Sequence, residues 1–246
     1  RTQSYTAESQ ATIEAAFFTP NLGLEIGRES INSNSLGDHF RNRLGLYFEG
    51  RKKIEKMSLT SGVSMFYYSD WDWICLPGID LAYHLTNQLT GTASIEKAFS
   101  PPTYTNLYYE SPVNKGNPEL KPEEAWSFEI GLKKNSNFAS TSINLFLRDN
   151  KNLIDYGWDS RDSLYIAQNV NNFNIYGSEI SCSINDNLLA NITLINHFSL
   201  SYTWLDGVRD VNYKSKYVFN YLRNNITLNF GHDLPGPIES NWSMKY

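Results

Sequence analysis

Residues 93–132 read ASIEKAFS PPTYTNLYYE SPVNKGNPEL KPEEAWSFEI GL, which is two strand-like segments joined by a long connection rich in proline and tyrosine. In the second segment, apolar side chains alternate with small or charged ones: Trp126, Phe128, Ile130 and Leu132 against Ser127, Glu129 and Gly131. A period of two residues is typical of a strand with one apolar face and one polar face. This stretch therefore predicts a strand, a long loop and a second strand.

The same alternation recurs along the chain, and it predicts about twelve strands in all. Clear examples are Ser58–Tyr68, Thr141–Arg148 and Leu189–Trp204. Such segments reach the roughly 9 to 11 residues that a tilted transmembrane strand requires. Their polar faces carry charged residues suited to a water-lined lumen: Glu14, Glu25, Glu129, Glu179 and Arg148. The predicted fold class is all-β, an antiparallel transmembrane β-barrel.

The connections between strands alternate in length. Short links with turn-forming residues are Thr19–Asn21, Arg51–Glu55, Thr86–Gln88, Asn135–Asn137, Asn185–Leu188 and Asp233–Pro237. Longer, more aromatic and acidic links are Ser33–Asp38, Ser69–Asp72, Ser100–Glu124, Asn152–Asp162 and Asp206–Lys216. Outer-membrane barrels have short turns on the periplasmic side and long loops outside the cell. The alternation therefore predicts that the second set of links is extracellular.

The composition leaves one alternative fold open. The chain has 16 Tyr, 13 Phe and 6 Trp, and no apolar run approaches the roughly 18 residues that mark a membrane helix. This composition fits a barrel with aromatic girdles, and it fits a secreted β-sandwich or solenoid about as well. Strand length and the asymmetry of the connections favour the membrane barrel.

Several functional classes find no support in the sequence. The net charge of -5 argues against nucleic acid as a partner. Four scattered histidines show no metal-ligand spacing, and two cysteines, Cys75 and Cys182, are too few for a disulfide scaffold. No catalytic motif is present, although Ser199 and His197 keep an outer-membrane hydrolase as a remote alternative. We therefore expect no enzyme, no metal and no cofactor.

The ordered motif Phe99, Pro102, Leu107-Tyr108, Gly116-Asn117-Pro118, Leu120 and Pro122-Glu123, followed by Glu129-Ile130-Gly131, resembles the barrel of the TonB-dependent outer-membrane receptors. The resemblance covers roughly Leu76 to Glu179, and its spacing is nearest to the cobalamin and catecholate-siderophore receptors. One departure is that the arginine usual after the phenylalanine is Ser100 here. If that arginine makes ion pairs with a neighbouring loop or the plug, this chain lacks them.

The resemblance implies a location in the bacterial outer membrane and a layout of 22 strands with a separate plug domain. On that layout residues 1–246 form a single partial barrel domain, truncated at both ends and without the plug. About seven strands would precede it and about three would follow. A small, even-numbered barrel closed by this chain alone is the alternative.

The implied function is energised uptake of a scarce ligand, such as a siderophore or a corrinoid. The implied partners are outer-membrane lipids, a TonB-type energising protein acting through a plug outside this chain, and a surface lipoprotein or other outer-membrane subunits. Two alternatives stay open: a receptor-like barrel that serves as a structural or docking subunit, and a passive pore.

Candidate ligand-contacting residues are aromatic side chains of the predicted extracellular loops: Tyr104, Tyr108, Tyr109, Tyr156, Trp158, Trp71 and Trp73. Their rings could pack on a corrin, a catecholate or a sugar, but they could equally form interfacial girdles or pack the loops. Glu129, Glu179 and Arg148 are predicted to face the lumen, where they contact a plug or pair across the wall. The loop acids Asp70, Asp72, Asp155, Asp159, Asp162, Asp206 and Asp210 could hold calcium, although solvated charge is the simpler interpretation.

Overall fold

A computed structural model of the protein describes residues 1–15, 18–170, 173–184, 195–209, 222–234, 236 and 238–246. Within these ranges the chain is almost entirely β. Its elements are β1 (Thr2–Thr12), β2 (Thr19–Ser33), β3 (Gly37–Ile54), β4 (Met57–Tyr68), β5 (Asp72–His84), β6 (Leu89–Ser100), α1 (Tyr104–Tyr108), β7 (Asn114–Lys115), β8 (Glu123–Asn135), β9 (Ala139–Lys151), β10 (Leu153–Asp159), β11 (Leu164–Val170), β12 (Phe173–Ile184), β13 (Ile195–Arg209), β14 (Asn224–Leu234) and β15 (Ile238–Lys245).

Twelve of the strands form one sheet in the order β1-β2-β3-β4-β5-β6-β8-β9-β12-β13-β14-β15. Every neighbouring pair is antiparallel, and each strand lies beside the sheet strand that precedes it in the chain. The predicted fold class and the predicted count of about twelve strands are confirmed. β1 and β15 are the edges of this sheet. The strand order does not test the total of 22 strands or the single truncated domain, and both stay predictions.

The connections separate the two ends of the sheet, which we call the turn edge and the loop edge. The turn edge carries the connections after β1, β3, β5, β8, β12 and β14, and the loop edge carries those after β2, β4, β6, β9 and β13. The predicted alternation is therefore present, but some boundaries were wrong. Thr19–Asn21 lies inside β2, and β3 continues to Ile54 so that its turn is Glu55-Lys56, with Glu55 at a φ of 44°. The predicted turn Asn185–Leu188 and most of the predicted link Asp206–Lys216 lie outside the described residues.

The two faces of the sheet differ as the alternation predicted. Large apolar side chains project from one face into the surroundings, as shown by Ile130, Leu145 and Ile180, which are 58%, 49% and 50% exposed. The opposite, inner face carries Glu25, Glu129 and Arg148 together with serine, threonine and glycine. A soluble sandwich would bury its apolar face against a second sheet. An apolar face left open along the whole sheet instead fits contact with lipid, so the sandwich alternative is discarded.

The long connection after β6 is a folded unit rather than a plain loop. It begins with the five-residue helix α1, which the sequence did not predict. Thr103 starts this helix because its hydroxyl accepts from the Asn106 backbone N–H at 3.1 Å, while the Asn106 side chain accepts from the Thr103 N–H at 3.1 Å. This reciprocal cap satisfies two backbone donors that the first turn leaves free. None of the described helices is long and apolar enough to cross a bilayer.

Much of the link that was predicted as Asn152–Asp162 is also strand. β10 pairs with β11 in an antiparallel hairpin, and β7 adds to β11 in parallel, giving a second sheet of three strands. We call residues 101–122 together with β10 and β11 the cap. Because both parts follow strands that end at the loop edge, the cap lies at that edge of the large sheet.

Candidate functional site

The cap has a small apolar core of its own. Leu107 of α1, Leu120, Tyr156 of β10 and Ala167 of β11 are all buried in it, with Ala167 completely inaccessible. By contrast, most large apolar residues of the large sheet face outward in rows, and the buried ones, Tyr68, Ile74, Ala125 and Phe173, lie near the loop edge. The cap is therefore one of the few places in the described chain where apolar burial in the usual globular sense stabilises structure.

Gly116 shows how tightly the cap is packed. A Cβ atom at this position would lie 2.8 Å from the backbone carbon and oxygen of Leu107 and 2.8 Å from the Tyr108 nitrogen. The Gly116 N–H donates to the Tyr109 carbonyl at 2.7 Å, and the Asn117 N–H donates to the Asn106 carbonyl at 2.9 Å. Only a residue without a side chain allows this approach, which explains the glycine of the Gly-Asn-Pro motif.

The cap docks on the inner face of β2 and β3 through aromatic rings. The Tyr108 ring stacks on His39 with centroids 3.6 Å apart and planes 4° apart. The Tyr104 hydroxyl donates to the Glu29 carbonyl at 3.2 Å. Glu29 is paired with Arg41 in the β2–β3 ladder, so His39 and Arg41 lie on the same inner face. The cap thus occupies the mouth of the barrel arc at the loop edge.

Arg41 is the main polar contact between the wall and the cap. Its side chain is only 4% exposed, and its Nε donates to Asp70 Oδ2 at 3.1 Å. Its Nη2 donates to the Pro102 carbonyl at 3.1 Å. The guanidinium lies over the rings of Trp71 and Tyr104, 4.3 and 5.1 Å from their centroids. Burial also raises the pKa of the Tyr104 hydroxyl above its ordinary value, although the Arg41 charge opposes this shift.

Sequence reasoning missed Arg41 and His39 altogether. The signal that could have identified them is positional: both fall on the polar face of β3 where that strand approaches the loop edge. Arg41, from β3, donates to the carbonyl of Pro102, two residues after Ser100, where the family resemblance led us to expect the ion pairs of an arginine to be lost.

The structure separates the predicted ligand-contacting aromatics into groups. Tyr104, Tyr108, Tyr156 and Trp71 are engaged within the cap or between the cap and the wall, and the Trp71 Nε1–H donates to the Leu120 carbonyl at 3.2 Å. Tyr109 ends α1 and is half-buried. Trp73 projects from β5 on the apolar outer face beside Tyr67, with centroids 5.6 Å apart, so it lies away from the cap.

Trp158 is placed differently from these residues. It projects from β10 and is 44% exposed, with its ring edge-on to Tyr165 at 5.1 Å. Val113, whose carbonyl accepts from the Tyr165 N–H at 2.9 Å, is 56% exposed nearby. At the tip of the same hairpin, hydrogen bonds from Arg161 hold the pKa of the Asp159 carboxyl below its ordinary value. Trp158, Tyr165 and Val113 form the hairpin patch, an accessible aromatic surface on the cap.

Glu129, Glu179 and Arg148 all lie on the inner face, and their contact with a plug stays a prediction. Glu129 is paired with Phe146, Arg148 with Ser127, and Glu179 with Asn144. Thr203 donates to Glu179 Oε2 at 3.5 Å. Within the described ranges none of the three takes part in an ion pair. Among the described residues, the three therefore do not pair with one another across the wall.

Neither a metal centre nor a catalytic pair is assembled in the part of the chain that the structure describes. No group of three or more His, Cys, Asp or Glu residues there could hold a metal ion. Asp210, one of the candidate calcium ligands, lies outside the described residues. His197 and Ser199 are two positions apart on β13, and within the described ranges no hydrogen bond joins their side chains. The Ser199 hydroxyl instead accepts from Asn229 Nδ2 at 3.2 Å.

The chain is similar to several known proteins. The family model described as TonB dependent receptor-like, beta-barrel, matches residues 3–246. The vitamin B12 transporter BtuB of Photobacterium profundum is 29% identical over 131 residues, which are 51% of this chain and 20% of that protein. BtuB of Vibrio vulnificus is 32% identical over 88 residues, which are 36% of this chain and 14% of that protein.

Solved structures of low identity share the fold. The siderophore receptor PirA from Pseudomonas aeruginosa superposes with a TM-score of 0.77 at 18% identity, over 99% of this chain and 45% of that chain. A mutant of the ferric enterobactin receptor PfeA from the same organism superposes with a TM-score of 0.79 at 17% identity, over 99% of this chain and 41% of that chain. The chain thus spans less than half the length of the receptors it matches.

The family match over nearly the whole sequence agrees with the open apolar face, the antiparallel order of the strands and the two unlike edges. It confirms the predicted location in the bacterial outer membrane, and the family that it names is one of receptors rather than enzymes. The loop edge is accordingly the extracellular one. The chain belongs to the TonB-dependent receptor family, and the part of that family it matches is the β-barrel of the outer membrane.

Proposed function

We propose that this barrel takes part in energised uptake of a scarce ligand, a siderophore, a corrinoid or a similar molecule, across the outer membrane. The observation that carries the proposal is a cap folded into the extracellular mouth above a polar inner face. The relatives include a vitamin B12 transporter and structures of siderophore receptors. An open mouth with no folded cap would suit a passive pore better.

The inner-face charges support a plug inside the barrel. Glu129 and Arg148 are exposed on the lumen side and Glu179 is half-buried there. Charged groups without ion-pair partners in the described wall are available to a domain seated in the lumen. In this proposal a TonB-type protein acts on the plug from the periplasm, and the ligand then passes along this face.

Of the predicted aromatics, Trp158 is the best candidate to contact the ligand. It lies in the hairpin patch with a large exposed ring, and Arg161 at the hairpin tip has a side chain that is 89% exposed. An exposed aromatic plane suits a flat ligand, and the Arg161 guanidinium, although paired with Asp159, adds a cation to the same hairpin. Tyr104, Tyr108, Tyr156 and Trp71 support the cap from below, so their contribution to binding is indirect.

The test is uptake by cells that lack their own receptors and produce the complete receptor from which this barrel derives. Radiolabelled cyanocobalamin and ferric enterobactin are offered separately, with and without a functional TonB protein. TonB-dependent accumulation of either probe supports the proposal. Ion conductance in planar bilayers without removal of a plug would favour a pore, and co-purification with a surface lipoprotein without uptake would favour a docking subunit.

A further inference from the structure

The wall and the cap meet through several contacts, and among those of the described residues the buried ion pair is the one that Arg41 makes. Arg41 donates to Asp70 on one side and to the Pro102 carbonyl on the other, and aromatic rings cover it. Its side chain is 4% exposed, whereas that of Asp70 is 28% exposed. A buried arginine is tolerated only where its charge and its donors are satisfied, so its partners must stay in place.

These contacts join three segments that are distant in sequence. Arg41 belongs to β3, Asp70 and Trp71 to the connection after β4, and Pro102 and Tyr104 to the cap. The Asp70 carboxylate is itself oriented, because its Oδ1 accepts from the Ser69 hydroxyl at 2.7 Å. The Ser69 N–H in turn donates to the Asn42 carbonyl at 3.1 Å. The Asp70 carboxylate is therefore held by the wall, and Arg41 links this carboxylate to the Pro102 carbonyl of the cap.

The buried core of the cap does not include Arg41. Leu107, Leu120, Tyr156 and Ala167 all belong to the cap, Trp71 packs against them from the connection after β4, and the contacts of Gly116 are internal to the cap. Loss of the guanidinium should thus release the cap from the wall without unfolding it. We propose that Arg41 is a positioning residue that fixes the cap in the mouth, and that the cap moves as one folded unit when this contact is removed.

Two readouts on the same protein separate docking from folding. Pro102 is fully buried at the contact, so a cysteine placed there reports docking through its rate of maleimide labelling in outer-membrane vesicles. The native Cys75 and Cys182 are first replaced by alanine. The Lys115–Gly116 bond lies inside the cap, where Lys115 pairs with Ile166 and Gly116 is buried, so its cleavage by trypsin reports cap folding.

In the Arg41→Met variant we expect labelling at position 102 to accelerate at least about tenfold, because one buried charge and two hydrogen bonds are lost. Cleavage after Lys115 should stay as slow as in the unsubstituted protein. Arg41→Lys keeps the charge but loses the planar geometry, so its labelling rate should lie between that of the unsubstituted protein and that of Arg41→Met. The matched control is Arg28→Met, which removes an arginine that lies 4.4 Å above the Phe40 ring on the outer face, away from the cap.

Unchanged labelling in Arg41→Met would overturn the proposal. So would faster labelling accompanied by equally faster cleavage after Lys115, because that result would mean that the cap unfolds instead of moving. Acceleration in the Arg28→Met control would also count against it, since the effect would then be general to the loss of an arginine. None of these readouts requires the ligand, so they stand apart from the uptake test.

Discussion

The side-chain amide of Asn169 and the backbone of Lys121 form a closed pair of hydrogen bonds, from the Lys121 N–H to Oδ1 at 2.8 Å and from Nδ2 to the Lys121 carbonyl at 2.8 Å. Nδ2 also donates to the Asn152 carbonyl at 2.7 Å. Asn152 has a φ of 55°, a left-handed conformation that asparagine tolerates better than most residues. The Asn169 side chain thus joins β11 to Lys121, at the end of the first part of the cap, and to Asn152, just before β10.

Replacing Asn169 by aspartate should loosen the cap, because a carboxylate keeps the shape but cannot donate. Two carbonyl groups would lose their donor and face a negative charge, at a cost of about 1–3 kcal/mol. The measurement is hydrogen exchange of the Tyr165 amide, which donates to the Val113 carbonyl at 2.9 Å between β11 and residues 101–122 and should exchange about tenfold faster or more. Asn229→Asp is the control, because Asn229 bonds to Ser199 far along the sheet. Equal protection of the Tyr165 amide in both variants would contradict the role given to Asn169.

Gly116→Ala should destabilise the cap by about 1–3 kcal/mol, the usual cost of overpacking, because the new Cβ meets the α1 backbone. The readout is cleavage after Lys115, which should become faster. Gly91→Ala is the matched control: its Cβ would lie 3.8 Å from Leu132 and Leu85 side-chain atoms, which is ordinary contact. A cap that resists trypsin equally in both variants would show that α1 can move aside.

Tyr104 predicts a dependence of cap docking on high pH. Burial raises the pKa of this hydroxyl, so the docked state favours the protonated phenol. The stabilisation is therefore complete below the ordinary tyrosine pKa of about 10 and is lost as the pH rises through the higher value of the docked state. The check is the ultraviolet tyrosinate titration of the protein minus that of Tyr104→Phe. The difference should titrate above the value found in denaturant, and coincident curves would refute the prediction.

The sequence predicted the strands of the large sheet, because apolar and polar residues alternate along them with a period of two. Strands such as Ser58–Tyr68 expose one face to lipid and one to water, so each side chain records its own environment. Boundaries failed where turn-forming residues are tolerated in strands: Pro20 lies near the start of β2, at the turn edge, and pairs with Gly50. The same alternation puts Glu129, Glu179 and Arg148 on the face opposite the large apolar side chains, where their strand partners also lie, and a lumen role for them stays a prediction.

The cap was not predictable in the same way, because its structure depends on contacts between distant segments. Nothing local marks Arg41 as the partner of Pro102, which is 61 positions away. The sequence shows that the predicted extracellular loops are rich in aromatic residues, but it does not distinguish Tyr108 from Trp158. In the fold Tyr108 stacks on His39, whereas Trp158 is exposed. Which rings support the cap and which face outward is thus a tertiary property.

Adjacent residues of β8 offer a test of the two faces. Ile130 is 58% exposed on the outer face, whereas Glu129 points to the lumen. Ile130→Lys should destabilise the barrel by about 2–4 kcal/mol, because it places a charge near the bilayer midplane, whereas Glu129→Lys should be tolerated. Folding into lipid vesicles of the complete receptor, followed by the heat-dependent shift of its band on gels, measures the effect. Equal losses in both variants would argue against the assigned faces.

Trp158 and Trp73 are the two strongly exposed tryptophans among the predicted ligand contacts, and the structure sets them apart: one on the cap, the other on the outer face. If the hairpin patch binds ligand, Trp158→Ala should weaken binding by about 2- to 10-fold, the contribution of one aromatic stacking contact of about 0.5–1.5 kcal/mol. Trp73→Ala should leave affinity unchanged, because its ring faces lipid. Equilibrium binding of cyanocobalamin and ferric enterobactin to the complete receptor measures both. If Trp73→Ala weakened ligand binding and Trp158→Ala did not, the ligand site would not lie on the cap.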